Sequence, residues 1–129
     1  MKLSAKSKYG LTACIELAAC HGEGSVAVSQ LSDRVGVSEK FLEQIMSVLR
    51  KEGVVVSTRG AMGGYALVNP PSKTTVGAIL RALEDNLEIV ECVGGGSCSK
   101  RCASFSVWEK LYTTVNEFLD SITLASLVK

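Results

Sequence analysis

The chain is poor in the residues that catalytic sites draw on. It has one histidine, aromatics make up 5% of it, and no single charge dominates: the formal net charge is +1 over 129 residues. With one histidine there is no Cys/His nucleophile pair of evident geometry and no paired-carboxylate site, so an enzyme is not expected. No Gly-Lys-Ser/Thr follows a glycine run, which excludes a nucleotide-phosphate loop. No apolar run reaches the length of about 18 residues that a membrane span needs. A near-neutral balance excludes a broadly basic or acidic partner surface, so any basic patch must be local. With few aromatics, aliphatic side chains must fill the core of what reads as one small domain with an appended element.

The five cysteines are an odd number, and three of them cluster. A secreted disulfide scaffold shows an even, dispersed set, so a reducing cytoplasm is expected. Leu17-Ala18-Ala19-Cys20 imitates a lipoprotein cleavage box, but Glu16 interrupts the apolar stretch and Gly22-Glu23-Gly24 reads as a helix stop. No leader is expected.

The clustered cysteines stand in Cys92-Val-Gly-Gly-Gly-Ser-Cys98-Ser-Lys-Arg-Cys102. Glycines let a backbone wrap closely around a small object. Lys100 and Arg101 favour thiolate at their neighbour Cys102. Thiolates are what iron–sulfur clusters and zinc take as ligands, and the spacing C-x5-C-x3-C is not that of a paired-knuckle zinc ribbon. A soft-metal site or a thiol switch is expected here, against the plainer reading of a flexible loop.

The rest of the chain alternates helical and extended patterns. Ser4 or Ser7 caps a first helix to about Cys20, apolar on more than one face and therefore buried on several sides. Cys14 and Cys20 read as packed core thiols, and His21 as a partner of the helix's negative end. Val26 to Val28 reads as a short extended piece. A short helix from Ser29 to Val35 follows, then Gly36 as a turn of positive φ, then a helix from Glu39 to about Lys51 capped by Ser38. Small Ser32 lets the two helices approach. This is helix-turn-helix spacing.

Phe41, Leu42, Ile45, Met46 and Leu49 form the inward face of the second helix. Lys40, Glu43, Gln44, Ser47 and Lys51 form the outward face, with Arg50 at its edge. These outward residues are of the types that read base edges and phosphates. Val54 to Thr58 and Tyr65 to Val68, joined by Arg59-Gly60-Ala-Met-Gly-Gly64, read as a hairpin wing. Arg59 and Gly60 at its tip suit entry into a narrow minor groove. A helix from Val76 to about Glu84 follows, and Leu87 to Val90 reads as extended. A long helix from about Ser104 to Ser121 carries Val107, Trp108, Leu111, Tyr112, Val115, Phe118, Leu119 and Ile122 as a stripe too broad for one small neighbour, which implies a dimer.

The expected fold is mainly α with a small β-hairpin: a winged helix-turn-helix plus a long C-terminal dimerisation helix. The expected division is 1–85 for DNA binding, 86–103 for the cysteine loop, and 104–129 for the dimerisation helix and tail. Expected partners are double-stranded DNA and a second copy of the chain, with no membrane and no small-molecule substrate.

Several stretches carry a family resemblance. Met1-Lys-Leu-Ser-Ala-Lys-Ser-Lys-Tyr-Gly-Leu11, Ser38-Glu-Lys-Phe-Leu-Glu-Gln-Ile45, Leu49-Arg-Lys-Glu-Gly-Val-Val55 and Arg59-Gly-x-x-Gly-Gly-Tyr65 resemble the IscR-type winged-helix regulators, as do the three-cysteine loop, Trp108 and Ile122-Thr-Leu124. Relatives include NsrR and CymR. The resemblance spans nearly the whole chain. It implies a dimeric transcription factor whose Cys92, Cys98 and Cys102 hold the iron of a cluster, 2Fe–2S favoured over 4Fe–4S, and whose targets are cluster-biogenesis genes.

The chain departs from the family pattern in three places. Three residues rather than five separate Cys98 from Cys102. Phe105 stands where the family has a histidine ligand, and Lys8 where the NsrR type has an aspartate. The fourth ligand stays open among Glu91, Ser99, Ser104, His21, an acid of the partner subunit and a small exogenous ligand. Two other readings stand beside this one. The same fold could serve a cluster-free thiol or zinc sensor or a regulator of cysteine metabolism. A small cluster-carrier protein would leave the outward helix face and the wing without purpose.

Overall fold

The computed structural model describes residues 2–84, 87 and 103–128. Its organising element is α1 (Ala5–Ala19), against which α2 (Val28–Val35), α3 (Glu39–Lys51) and α4 (Val76–Leu83) all pack. Ser4, extended, caps α1 by accepting from the Ser7 amide at 3.3 Å. Ala13, Cys14, Leu17 and Ala18 are buried, and Leu11 and Ile15 pack against the core from other sides, as a helix surrounded by neighbours requires. At Gly10 the absence of a side chain matters: a methyl there would run into the side chain of Leu83 on α4.

α2 begins at Val28 rather than Ser29, because only Val26 of the expected extended piece pairs. Val26 exchanges both backbone hydrogen bonds with Tyr65, at 2.8 and 2.9 Å. α2 ends at Gly36, whose φ of 85° is the left-handed turn expected between the two helices. Ser32 is buried at that crossing and satisfies its hydroxyl on the Ser29 carbonyl at 3.0 Å.

Strands β1 (Val55–Thr58) and β2 (Gly64–Leu67) pair antiparallel, in register from Val55 opposite Leu67 to Thr58 opposite Gly64. A 3-10 turn at Pro71–Lys73 leads to α4, capped by Thr75 on the Ala78 amide at 3.1 Å. α5 (Phe105–Ser121) lies along α4 and has no fully buried residue. Beyond it a short 3-10 turn (Leu124–Ser126) returns Leu124 to the main core, where it is fully buried.

That core is aliphatic, as the shortage of aromatics requires: Leu31, Leu42, Ile45, Met46, Leu49, Val55, Ile79 and Leu124 are almost completely buried. A smaller cluster of Val76, Leu80 and Leu87 receives Leu119 and Ile122. The fold is the expected one, mainly α with a small hairpin. Cys14 and Cys20 both pack with the main core, at different depths. Cys14 is fully buried, but Cys20 caps the end of α1 half-buried, its Sγ accepting from Arg34 Nη1 at 3.1 Å. Arg34 on α2 reaches the helix end and meets the thiol there, while Cys20 still packs against the edge of the core. Of the Leu87–Val90 segment, only Leu87 falls among the described residues.

Candidate nucleic-acid interface

α3 has a clean division of faces. Leu42, Ile45, Met46 and Leu49 are buried and Phe41 is half-buried, whereas Ser38, Lys40, Glu43, Gln44, Ser47, Arg50 and Lys51 are all exposed. Positions 40, 43, 44, 47 and 51 follow helical spacing, so they form one row. Ser38 starts the row: its Oγ accepts from the Phe41 amide at 3.1 Å. The remaining amides of the first turn point along the helix axis to solvent, where an anion suits both them and the dipole. Arg50 is the exception in this set. Its Nη1 donates to Ser57 Oγ on β1 at 3.4 Å, so its guanidinium bridges the helix to the hairpin.

The hairpin tip is built by glycine. Gly60 takes φ of 105°, and the Gly63 amide returns to the Gly60 carbonyl at 3.0 Å, closing a tight turn over Ala61 and Met62. Arg59 and Gly60 are exposed at this turn, and Met62 is the most exposed large apolar residue described, at 89%. The hairpin is braced from outside close to its tip, by Val26 on Tyr65 and by Ser25 Oγ donating to Thr58 Oγ1 at 3.1 Å.

One cation of this region has no local signal in the sequence. Lys8 Nζ sits 5.2 Å over the Tyr9 ring. Tyr9 in turn meets Phe41 edge to face. The chain Lys8–Tyr9–Phe41 therefore sets a positive charge of α1 beside the first turn of α3.

Cys92, Cys98 and Cys102 lie outside the described residues, as do Glu91 and Ser99. Their fit to a metal group rests on donor chemistry. Three thiols suit iron–sulfur or zinc ligation but leave a four-coordinate set one short. The described residues offer no rival centre, because no three of His, Cys, Asp and Glu converge among them. Burial pushes the Cys14 thiol up to about 12, so it is a poor thiolate donor. Cys20 is engaged with Arg34. His21 is exposed. Ser104 Oγ accepts from Trp108 Nε1 at 2.9 Å, and Phe105 carries no donor atom. Among the described residues no helix is long and apolar enough to cross a membrane.

Known proteins resemble this chain along its whole length. Residues 3–129 match the family described as Rrf2, iron-dependent transcriptional regulator. The HTH-type transcriptional regulator IscR of Serratia proteamaculans is 38% identical over 130 residues, covering 99% of this chain and 79% of that protein. A putative HTH-type transcriptional regulator of Haemophilus influenzae is also 38% identical, with 87% of its length covered. Among solved structures, CymR of B. subtilis, titled the global cysteine regulator, superposes with a TM-score of 0.84 at 39% identity, covering 98% of this chain and 95% of that one. IscR of T. potens does so with a TM-score of 0.80 at 42% identity, covering 98% and 85%.

Proposed function

The chain belongs to the Rrf2 family of transcriptional regulators, and from that premise we propose that it is a cytoplasmic, homodimeric, sequence-specific DNA-binding regulator. Its signal is iron–sulfur cluster or redox status, sensed through Cys92, Cys98 and Cys102, and its targets are cluster-biogenesis genes. The observation that carries the reading is the capped, exposed row on α3 beside a glycine-built wing bearing Arg59. In this reading residues 1–85 bind DNA, 86–103 sense, and 104–129 dimerise. Exposed Val107, Leu111 and Phe118 on α5 supply the apolar surface for a second copy.

Each α3 enters a major groove, the two lying one turn of B-DNA apart, about 34 Å. Ser38 and the first-turn amides take a phosphate. Lys40, Gln44 and Ser47 face base edges and backbone, while Lys51, Arg50 and Lys8 neutralise phosphates. Glu43 is repelled by phosphate unless it accepts from a cytosine amine, so it selects among sites. Arg59 reads the minor groove.

Cys92, Cys98 and Cys102 are the residues that would hold a cluster, 2Fe–2S being favoured, with the fourth ligand from outside this set. A bound cluster supplies a redox- and iron-responsive crosslink of the loop. The loop joins the end of α4 to the start of α5, so ordering it biases both helices.

A second reading has its own support. Phe105 offers no ligand, and the resemblance to CymR is as close as that to the IscR proteins. It keeps the DNA-binding frame and senses through thiol oxidation or zinc, controlling cysteine metabolism.

Iron and acid-labile sulfide per chain, measured with the visible spectrum on protein purified without oxygen, separate the two. Stoichiometric iron and sulfide, lost in Cys98→Ala, support the cluster sensor. Protein that stays colourless after attempted reconstitution, with DNA affinity that follows thiol oxidation alone, supports the second.

A further inference from the structure

α4 and α5 are joined at two levels. At the lower level the backbones pair: Thr75 bridges Thr123, the Val76 amide donates to the Ile122 carbonyl at 2.9 Å, and the Leu124 amide to the Thr74 carbonyl at 2.9 Å. At the upper level, beside the packing of Leu119 on the Leu80 cluster, the polar join is made by one side chain of α4. Arg81 Nη1 and Nη2 donate to the two oxygens of Asp120 at 2.7 and 2.9 Å. Nη2 and Nε both donate to Asn116 Oδ1, at 2.9 and 3.3 Å. Asn116 is held with that oxygen toward Arg81 because its own Nδ2 donates to the Tyr112 carbonyl at 2.9 Å. Gly77, one turn before Arg81, leaves the space that the Asp120 carboxylate occupies; any side chain there would collide with it.

Magnitudes separate two uses for this fork. The Arg81 and Asp120 side chains are 41% and 48% exposed, and exposed ion pairs are screened by water and add little to stability. As a source of stability the fork is minor. As a constraint on angle it is strong, because a planar guanidinium bound through three nitrogens to two residues of one helix accepts a single orientation. The hydrogen bond from Arg81 holds the Asp120 carboxyl below its ordinary value against a small opposing effect of burial, so the pair stays charged through neutral pH. With the fork removed, α5 keeps the Thr75–Thr123 pairing and the apolar packing of Leu119 and Ile122 on Val76, Leu80 and Leu87, which is non-directional, and loses the contact that fixes its angle.

We propose that the Arg81 fork to Asp120 and Asn116 is a positioning element that sets which separation of DNA half-sites the dimer accepts. The inference rests on the reading of α5 as the dimer helix and α3 as the DNA reader. α4 packs on α1 and α3, so the α4–α5 angle in each protomer fixes how far apart the two α3 helices lie.

The test uses the full chain and a duplex obtained by random-site selection with the parent protein. Affinities are measured for that duplex, for versions with the half-sites moved by one and two base pairs, and for a single half-site. Arg81→Lys keeps the charge and loses the fork; Asp120→Asn keeps the shape and loses the ion pair. Both variants are expected to retain the parent's dimer sedimentation and half-site affinity. Their preference for the best separation is expected to fall by about threefold to fivefold. A separation profile identical to the parent's in both variants overturns the proposal and leaves the DNA-binding reading standing. Variants that no longer sediment as dimers also overturn it, because the fork is then structural. A parent that selects no paired site overturns the reading beneath it.

Discussion

The rings of Tyr9 and Phe41 meet edge to face, centroids 6.1 Å apart and planes at 81°, joining the second turn of α1 to the first turn of α3. The contact connects the start of the exposed α3 row, proposed to read DNA, to α1, against which three other helices pack, and it carries Lys8 with it. Phe41→Ala removes a half-buried ring and its partner contact, and is expected to cost about 2 kcal/mol in urea unfolding. Lys8→Ala is expected to leave stability unchanged. Its effect is on DNA: affinity falls to a similar degree for every duplex tested, and the slope of log K against log salt loses about one unit. An unchanged salt slope would remove Lys8 from the interface.

The helix-turn-helix was legible because each of its parts is a local signal: Gly36 for the turn, Ser38 for the cap, and helical spacing for the two faces of α3. The wing was legible for the same reason. Lys8 was not, since what brings it to α3 is a packing contact between residues far apart in sequence. The core packing of Cys20 was legible from its apolar neighbours Leu17 and Ala18, but its contact with Arg34 was not, because that partner belongs to another helix. The Arg81 fork was invisible too, because an exposed arginine on α4 and an exposed aspartate on α5 look like ordinary solvated charges until the helices are set side by side.

Two glycines and one serine hold the helix-turn-helix and its wing, for different reasons, and their substitutions are expected to rank accordingly. Ser38→Ala loses a cap bond and is expected to cost about 1 kcal/mol. Gly36→Ala meets no neighbour but must hold φ of 85°, at a cost of about 1–2 kcal/mol. Gly64→Ala is the severest, because the added carbon meets the backbone carbonyl of Val26, which is itself fixed by its pairing with Tyr65. Thermal melts of the three variants test the order. A Gly64→Ala protein as stable as Ser38→Ala would show that the wing can shift away from Val26 freely.

Cys14 and Cys20 should differ sharply in reactivity. In a variant with Cys92, Cys98 and Cys102 all replaced by serine, only these two thiols remain. Burial pushes Cys14 up to about 12 from an ordinary 9.0, and no reagent reaches it in the folded state. Mild alkylation at pH 8 is therefore expected to give a single adduct, at Cys20, by mass spectrometry, and a second only on unfolding. The same burial has a stability consequence. The folded state keeps the Cys14 proton to higher pH than the unfolded chain does, so the contribution is complete below pH 9 and is lost as pH rises above it. Cys14→Ala should flatten that alkaline limb, at the cost of a small cavity.

The acid limb belongs in part to Glu84. Its carboxylate accepts from the Ser4 amide at 3.1 Å and the Ser4 hydroxyl at 2.8 Å, tying the end of α4 to the cap of α1. Burial pushes the Glu84 carboxyl up, but the hydrogen bonds from Ser4 and Ser7 pull it down further, and the net value lies below the ordinary 4.5. The ionised form is therefore favoured by folding. Its contribution is present above pH 4.5 and is lost as pH falls through the lower folded value. Asp120, held down by Arg81, fades in the same direction, so the parent's curve alone does not separate the two. The difference between the parent and Glu84→Gln does. It should be largest near neutral pH and shrink as pH falls below 4.5 and through the lower folded value, followed by urea unfolding across that range. A difference that stays constant with pH would mean that Glu84 acts through its shape and not its charge. The Ser4 clasp would then not be what fixes the end of α4, from which the chain leaves for the cysteine loop.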